Sequence, residues 1–167
     1  MFQWRITKYN PARRNTKGHY PLDEWTSVSE IGKSFAGTTL TLESYLEVES
    51  AHVTSMLDFL EALGSPRMYA QRVESGRPRS AAIPGDVLQR APREGKAIPP
   101  RDVARLCRAC LRERIWCRLE SADRSVFVHW GYDFYMYLGA PGDYPDVAER
   151  IRDRGLFVEA FVSPYRA

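Results

Sequence analysis

The strongest constraint on the fold of this chain is an alternating pattern in residues 126 to 138. The even-numbered positions are mainly apolar, namely Val126, Val128, Trp130, Tyr132, Phe134, Met136 and Leu138, whereas the odd-numbered positions are Phe127, His129, Gly131, Asp133, Tyr135 and Tyr137. Successive side chains of a β-strand point to opposite faces, so the pattern predicts one long strand with an apolar face and a polar-aromatic face. The alternative is a tight turn at Gly131 to Asp133, which would make the segment a β-hairpin.

Seven other segments have the periodicity of regular structure. Strands are predicted at Phe2 to Thr7 and at residues 68 to 74, 116 to 120 and 156 to 162. Apolar residues recur at three- and four-residue steps in three main helices, which cover roughly residues 42 to 63, residues 101 to 113, and a segment from Asp143 or Tyr144 to Gly155. The order β-α-β-loop-α-β-β-α-β predicts an α+β fold, with a mixed, mostly antiparallel sheet of about five strands and the helices packed largely on one face.

One domain is expected across residues 1–167, since a chain of this length buries a hydrophobic core without extra crosslinks. A long loop is predicted at residues 75–99, where four prolines and three glycines occur among scattered Arg and Lys. Loops of this length are uncommon in compact domains and are usually functional or disordered. A short helical turn is expected around Asp86 to Arg90, and Ser27 to Glu30 matches a capping box that could open another short helix.

Charge is unevenly distributed, although the formal net charge is only +3. Residues 42 to 65 carry five acids and no Lys or Arg, whereas the segment 66–118 carries thirteen bases against five acids. Within the second helix, Arg105, Arg108 and Arg112 recur at three- and four-residue steps and would form a basic ridge. The ridge makes nucleic-acid binding an alternative function, but no Phe, Tyr or Trp lies between residues 70 and 115 to stack on bases.

No metal or cofactor is predicted. Cys107 and Cys110 lie on the apolar face of a predicted helix and have no second cysteine pair, which favours core packing over a zinc site. The three histidines, His19, His52 and His129, fall in a loop, a helix and a strand without metal-binding spacing. Phosphate-loop, nucleophile-elbow and dinucleotide-binding motifs are absent from the sequence.

A reducing, cytoplasmic location is expected. The chain has an odd number of cysteines, which argues against a disulfide framework. No apolar run approaches the ~20 residues that a membrane-spanning helix requires. The first residues alternate like a strand and lack the apolar stretch of a signal peptide.

The candidate partner-binding residues lie on the polar-aromatic face of the predicted long strand and on its neighbour. They are His129, Asp133, Tyr135 and Tyr137, with Glu159 from the last strand. In a continuous strand His129 and Asp133 would be ~13 Å apart, too far for a direct hydrogen bond. Tyr side chains provide rigid contact area with a polar tip, so this face is interpreted as a recognition surface. The alternative is a face partly covered by the 75–99 loop, with its polar groups already hydrogen-bonded.

Three functions are compatible with the sequence. The favoured one is a small cytosolic binding protein that recognises a macromolecular partner, similar in character to an immunity, inhibitor or adaptor protein, without enzymatic activity. The first alternative is a nucleic-acid-binding domain that uses the basic segment 66–118. The second is an enzyme with a site around His129 and Asp133, completed by Tyr135 and a loop residue such as Glu24 or His19.

Overall fold

The structure, a computed structural model, describes residues 1–76 and 83–166. Eight strands are present in these residues: β1 Phe2–Thr7, β2 Ser34–Phe35, β3 Thr38–Thr39, β4 Met68–Ser75, β5 Ile115–Ser121, β6 Phe127–Trp130, β7 Met136–Ala140 and β8 Phe157–Ala160. The three helices are α1 Leu42–Ala62, α2 Pro100–Leu111 and α3 Pro145–Asp153. The predicted α+β class with three main helices and a mostly antiparallel sheet is therefore confirmed.

Six of the strands form one antiparallel sheet in the order β4-β5-β6-β7-β1-β8, and β2 pairs only with β3. The first strand of the chain thus lies between β7 and β8 near one edge of the sheet. At the opposite edge, residues 94 to 98 run beside β4, where Ala97 bridges Tyr69 and Ile98 donates its backbone N–H to the Met68 carbonyl. Part of the predicted 75–99 loop is therefore fixed to the sheet, while residues 77 to 82 lie outside the described residues.

The favoured prediction of one long strand over residues 126 to 138 is wrong, and the hairpin alternative is correct. The chain reverses between β6 and β7, and the N–H of Gly131 donates to the Tyr135 carbonyl at 2.9 Å. This reversal explains why the main sheet has six strands rather than about five. The two chemical sets nevertheless stay on opposite faces, because the register pairs even positions with even positions, Val128 with Leu138 and Trp130 with Met136.

The helices cover the face that carries the apolar set. Ile6, Leu138 and Val158 of the sheet border the same small apolar gap as Phe59 of α1 and Ile151 of α3. These side chains belong to a continuous core cluster, and burial of apolar area of this kind is the main favourable contribution to folding. In the described part of the chain, the helices α1, α2 and α3 all lie on this apolar side, and the candidate site is built on the opposite face.

Local signals explain the helix boundaries. Thr41 and Ser44 form a reciprocal capping box at the start of α1, and Gly64, with a φ of +75°, follows its end. The capping box at Ser27 is also present, but it opens only a single 3₁₀ turn, Val28–Glu30. The helical turn expected around Asp86 to Arg90 is not formed, because this segment is instead tied to α2 by side-chain bonds.

Candidate functional site

A continuous row of polar side chains crosses the helix-free face of the sheet. Cα register places one residue from each strand in this row, in the order Gln71, Arg118, His129, Tyr137, Arg5 and Glu159. Three of the predicted partner-binding residues therefore share this row, with His129 directly beside Tyr137 and with Arg5 between Tyr137 and Glu159. The corresponding row on the helix side, from Ala70 to Ala160, is entirely apolar. In this part of the sheet, polar side chains therefore lie on one face and apolar side chains on the other.

The C-terminal segment, defined here as residues 161 to 166, lies across this polar row. Phe161 N–H donates to the Gln3 carbonyl, and Ser163 N–H donates to the Gln3 side chain at 2.9 Å. Tyr165 then packs edge-on against Trp116 and Tyr137. As a result His129 is 1% exposed and Tyr137 is 5% exposed. The prediction that these two residues offer an open recognition face is contradicted, because the chain's own terminus covers them.

His129 fastens this segment to the sheet. Its Nδ1 lies 2.9 Å from Ser163 Oγ and its Nε2 lies 3.3 Å from Glu120 Oε1. Burial, reinforced by the positive charges of Arg118 and Arg166, lowers the pKa of His129 to about 3. The neutral ring then accepts a hydrogen bond from the Ser163 hydroxyl and donates one to Glu120.

This Ser–His–Glu order resembles the proton relay of an acyl transferase, but it is closed to substrate. Ser163 and His129 are both buried, so no reacting carbonyl can approach the hydroxyl. Asp133, the other residue of the predicted enzymatic pair, lies in the β6–β7 turn and does not contribute to this relay. The structure therefore does not bring His129 and Asp133 into one site. The hydrogen bonds of His129 to Ser163 and Glu120 instead hold the C-terminal segment on the sheet.

The β6–β7 turn has a strained backbone. Asp133 and Phe134 adopt φ values of +58° and +62°, in the left-handed region that costs a non-glycine residue roughly 1–2 kcal/mol. The turn is held in this shape by the Phe134 ring, which is buried edge-on against Trp25 and Tyr45 at centroid distances of 5.0 and 5.7 Å. Tyr132, at the tip, is 81% exposed. A rigid, core-anchored turn thus presents an aromatic side chain to solvent.

Two cavities flank this turn, and Asp133 borders both of them. The first, the aromatic pocket, has a volume of about 340 Å³. Its walls include Trp116, Trp130, Tyr132 and Phe134, and its acidic side chains are Glu74, Glu113 and Asp133. Tyr132 was not among the predicted site residues, because its even position assigned it to the apolar face. Its place in a Gly-Tyr-Asp turn sequence was the signal that could have identified it as exposed.

The second cavity, the polar pocket, also has a volume of about 340 Å³. It is lined by side chains of opposite charge and by phenols, including Arg5, Tyr9, Arg14, His19, Tyr20, Glu24, Asp133 and Tyr135. The polar pocket thus brings together four residues of the enzymatic alternative, namely Tyr135, Asp133, Glu24 and His19. His129, the fifth residue of that alternative, does not line the pocket.

Both arginines of the polar pocket are already paired. Arg5 binds Glu159 through two hydrogen bonds of 2.9 and 3.0 Å, and Arg14 binds the same carboxylate at 3.2 Å while donating to the Tyr135 hydroxyl. Glu159 is therefore the shared counter-ion of two arginines. Burial alone would lower the pKa of Arg14, but the hydrogen bond to Tyr135 and the charge of Glu159 outweigh it, so the pKa of Arg14 is raised.

Glu24 is saturated in the same way. One of its oxygens accepts from Lys8 at 2.8 Å and the other from the Tyr20 hydroxyl at 3.1 Å. Lys8 lies over the rings of Tyr9 and Trp25, and burial lowers its pKa. Burial also raises the pKa of Tyr9 and of Tyr20. The arrangement stabilises a fixed hydrogen-bond network, and both oxygens of Glu24 have a partner.

The predicted basic ridge on α2 is not available as a phosphate-binding surface. Arg112 is buried, and its guanidinium binds Glu49 of α1 through two hydrogen bonds of 2.6 and 2.7 Å. Arg105 pairs with Asp86 and Asp102 at 2.8 Å each, and Arg108 donates to the Asp86 carbonyl. The assignment of Arg112 to nucleic-acid binding is therefore wrong, because it points into the core instead of toward solvent.

His52 of α1 gives the protein a defined pH dependence. Burial lowers its pKa from 6.5 to about 4, and its ring hydrogen-bonds the Val48 carbonyl at 2.9 Å. Between these two pH values the unfolded chain binds a proton on this ring and the folded protein does not. The stability due to neutral His52 is therefore complete above pH 6.5 and falls on acidification by about 1.4 kcal/mol per pH unit.

We expect His52→Gln to reduce this pH dependence by about that amount. The free energy of unfolding in urea would be measured at several pH values from about 7 down to about 5. His129 contributes in the same direction, so some dependence remains in the variant. His19→Gln, at an exposed position, is the matched control. Equal slopes for the wild type and His52→Gln would contradict the assignment.

Comparison with known protein families, characterised proteins and solved structures finds no match to this chain. Among residues 1–76 and 83–166, no cluster of three or more His, Cys, Asp or Glu side chains could hold a metal ion. The same part of the chain contains no helix that is both long and apolar enough to cross a membrane. The function has to be inferred from the geometry of the β6–β7 turn and its two cavities.

Proposed function

We propose that this chain is a binding protein that recognises a protein partner through the β6–β7 turn. The observation that carries the proposal is the exposure of Tyr132 on a strained turn that Phe134 anchors in the core and that two cavities flank. Left-handed non-glycine residues cost energy and cluster at ligand-binding and switch regions. Tyrosine is enriched among the few interface residues that dominate binding energy, and Tyr132 is exposed beside two concave pockets.

The surroundings of Tyr132 extend this surface on both sides. Trp116 and Tyr165 are half-buried beside the aromatic pocket, and Tyr135 borders the polar pocket. Of the residues predicted from the sequence, Asp133 and Tyr135 remain direct contacts in this proposal. His129, Tyr137 and Glu159 instead support the surface, because they hold the C-terminal segment and Arg14 in place.

The charge around the turn favours a protein over a nucleic acid. Glu74, Glu113 and Asp133 bring three carboxylates to the aromatic pocket, which would repel a phosphate backbone. Tyr, Trp and Arg, which are all present around the turn, are enriched at protein interfaces. A small immunity-, inhibitor- or adaptor-like role in the cytoplasm is the form of this function we propose, and three free, buried cysteines are compatible with a reducing compartment.

We expect Tyr132→Ala to weaken partner binding by roughly 30-fold or more, the loss typical of a dominant interface tyrosine. Tagged wild-type protein would be used to capture partners from the native host, and the dissociation constant of each recovered partner would be measured. Asp133→Asn, which preserves size and tolerates a left-handed backbone, is expected to have a smaller effect in the same direction. Phe2→Ala removes an exposed ring on β1, away from the turn, and serves as the matched control.

The same binding experiment can also disprove the proposed function. Thermal unfolding would first establish that Tyr132→Ala is folded, since an exposed side chain contributes little to stability. If every partner bound the folded variant as tightly as the wild type, recognition through the β6–β7 turn would be disproved. Capture that disappears after nuclease treatment would favour nucleic-acid binding instead.

A further inference from the structure

The aromatic pocket has an unusual combination of walls and charge. Its three acidic residues come from three separate parts of the fold: Glu74 from the end of β4, Glu113 from the connection between α2 and β5, and Asp133 from the β6–β7 turn. None of the described residues that line it is Lys, Arg or His. The carboxylates therefore have no basic partner within the described lining, and the site attracts positive charge.

The walls are suited to the same kind of ligand. Trp116, Trp130, Tyr132 and Phe134 supply four aromatic side chains around a single cavity of about 340 Å³. The indole N–H of Trp116 donates to the Trp130 carbonyl at 2.8 Å, which fixes the orientation of its ring. Aromatic faces attract cations, tryptophan most strongly, and the attraction increases when the cation leaves bulk water.

Trp130 provides an observation that is independent of the carboxylates. It lines the cavity at 2% exposure, and its indole N–H lies beside the Cys107 thiol, which is a weak acceptor. The N–H therefore forms no strong hydrogen bond among the described residues, whereas most buried donors in folded proteins are fully paired.

The backbone at the edge of the cavity is also strained. Seven non-glycine residues have positive φ in the described part of the chain, and three of them, Glu113, Asp133 and Phe134, line this pocket. Two of these three, Glu113 and Asp133, are also among the three acidic residues of the pocket. The strain is thus concentrated where the acidic groups are positioned, as is common in ligand-binding sites.

We propose that the aromatic pocket binds an arginine side chain of the protein partner, an inference that rests on the function proposed above. A guanidinium is planar, so it stacks on tryptophan and tyrosine rings while donating to carboxylates at its edge. The cavity is at the small end of the range for ligand pockets, which suits one side chain with its adjoining backbone better than a nucleotide.

The test uses a small probe and does not need the partner. N-acetyl-L-arginine amide would be titrated into the full-length protein, with binding followed by tryptophan fluorescence and by the four indole N–H resonances in NMR spectra. We expect saturable binding with a dissociation constant of roughly 1–10 mM, since so small a ligand makes few contacts. The indole signals of Trp116 and Trp130 should shift, and those of Trp4 and Trp25 should not.

A neutral probe and two variants test the chemistry. N-acetyl-L-citrulline amide has nearly the same shape without the charge, and it should bind at least about tenfold more weakly. Glu113→Gln should weaken the arginine probe by roughly 1.5- to 5-fold, the range expected for loss of one exposed charge contact. Glu43→Gln, an exposed acid on α1, is the matched control and should leave binding unchanged.

The outcomes separate this inference from the proposed function. Equal binding of the two probes, no effect of Glu113→Gln, or shifts confined to Trp4 and Trp25 would overturn the arginine site. If the probe fails while partner capture still depends on Tyr132, only the arginine site is disproved. If the probe binds as expected and no partner depends on Tyr132, the pocket is a cation site and the recognition function is disproved.

Discussion

Replacing Arg112 by methionine is expected to lower the free energy of unfolding by about 3–5 kcal/mol, because the substitution leaves the Glu49 carboxylate buried without a counter-ion. Both side chains are 3% exposed, and the two hydrogen bonds between them are 2.6 and 2.7 Å long. Arg112 also donates to the carbonyls of Ile83 and Pro84. Urea denaturation followed by circular dichroism would measure the loss.

Two controls show whether the uncompensated charge is the cause. The double variant Glu49→Leu/Arg112→Met removes both charges and should recover most of the lost stability, because apolar groups often replace a buried ion pair at little cost. Arg105→Met breaks ion pairs on the same helix that are partly exposed, and it should cost far less stability. A loss at Arg112 no greater than that at Arg105 would show that the buried pair is unimportant for folding.

Phe134→Ala is the second change with a large expected effect, again about 3–5 kcal/mol of unfolding free energy. The ring is buried among Trp25, Tyr45 and His52, with all three contacts edge-on. Alanine leaves a cavity in this cluster and does not relieve the positive φ at this position. Chemical denaturation would give the stability, and hydrogen exchange of residues 131 to 135 would report whether the turn opens.

The neighbouring residue supplies the matched comparison. Tyr132→Ala removes an aromatic ring of similar size from the same turn, but its side chain is exposed, so the change should stay within about 0.5 kcal/mol. Comparable losses at positions 132 and 134 would contradict the anchoring role of Phe134. If the proposed function is correct, the two variants divide the roles of the turn, since Tyr132 contacts the partner and Phe134 holds Tyr132 in place.

Much of the fold could be predicted because periodicity and end signals agree in this chain. The helices begin and end close to their predicted limits, since Thr41 caps α1, Gly64 ends it, and prolines stand at the first turns of α2 and α3. The predicted strand at 116 to 120 is β5, and its turn at Ser121 is closed by Asp123, which accepts from the hydroxyls of Ser121 and Ser125.

The reversal at Gly131 was the main error, and its cause is physical. Parity of side chains cannot distinguish a continuous strand from a hairpin whose register pairs even with even positions, because both place the same residues on the same face. The deciding contribution came from the Phe134 ring, which leaves the sheet and fills a space under Trp25 and Tyr45. No local pattern contains that information.

The Glu49–Arg112 pair was missed although a signal was present. Glu49 stands four residues after Tyr45 and four before Val53, on the buried stripe of α1, where an acid requires a partner. From the sequence, Glu49 was counted only as one of the five acids in residues 42 to 65, and Arg112 was assigned to a basic ridge on the second helix. Its position near the C-terminal end of α2 brings Arg112 against that stripe, which only the packing of the two helices reveals.

The sequence by itself determined which residues become helix and strand and which side of the sheet is apolar, because these depend on periods of a few residues along the chain. Only the tertiary structure decided which polar groups meet solvent. His129 and Tyr137 are buried because residues far along the chain fold back over them, whereas Tyr132 is exposed because its turn projects beyond the sheet. Exposure depends on distant segments, so alternation within one strand cannot specify it.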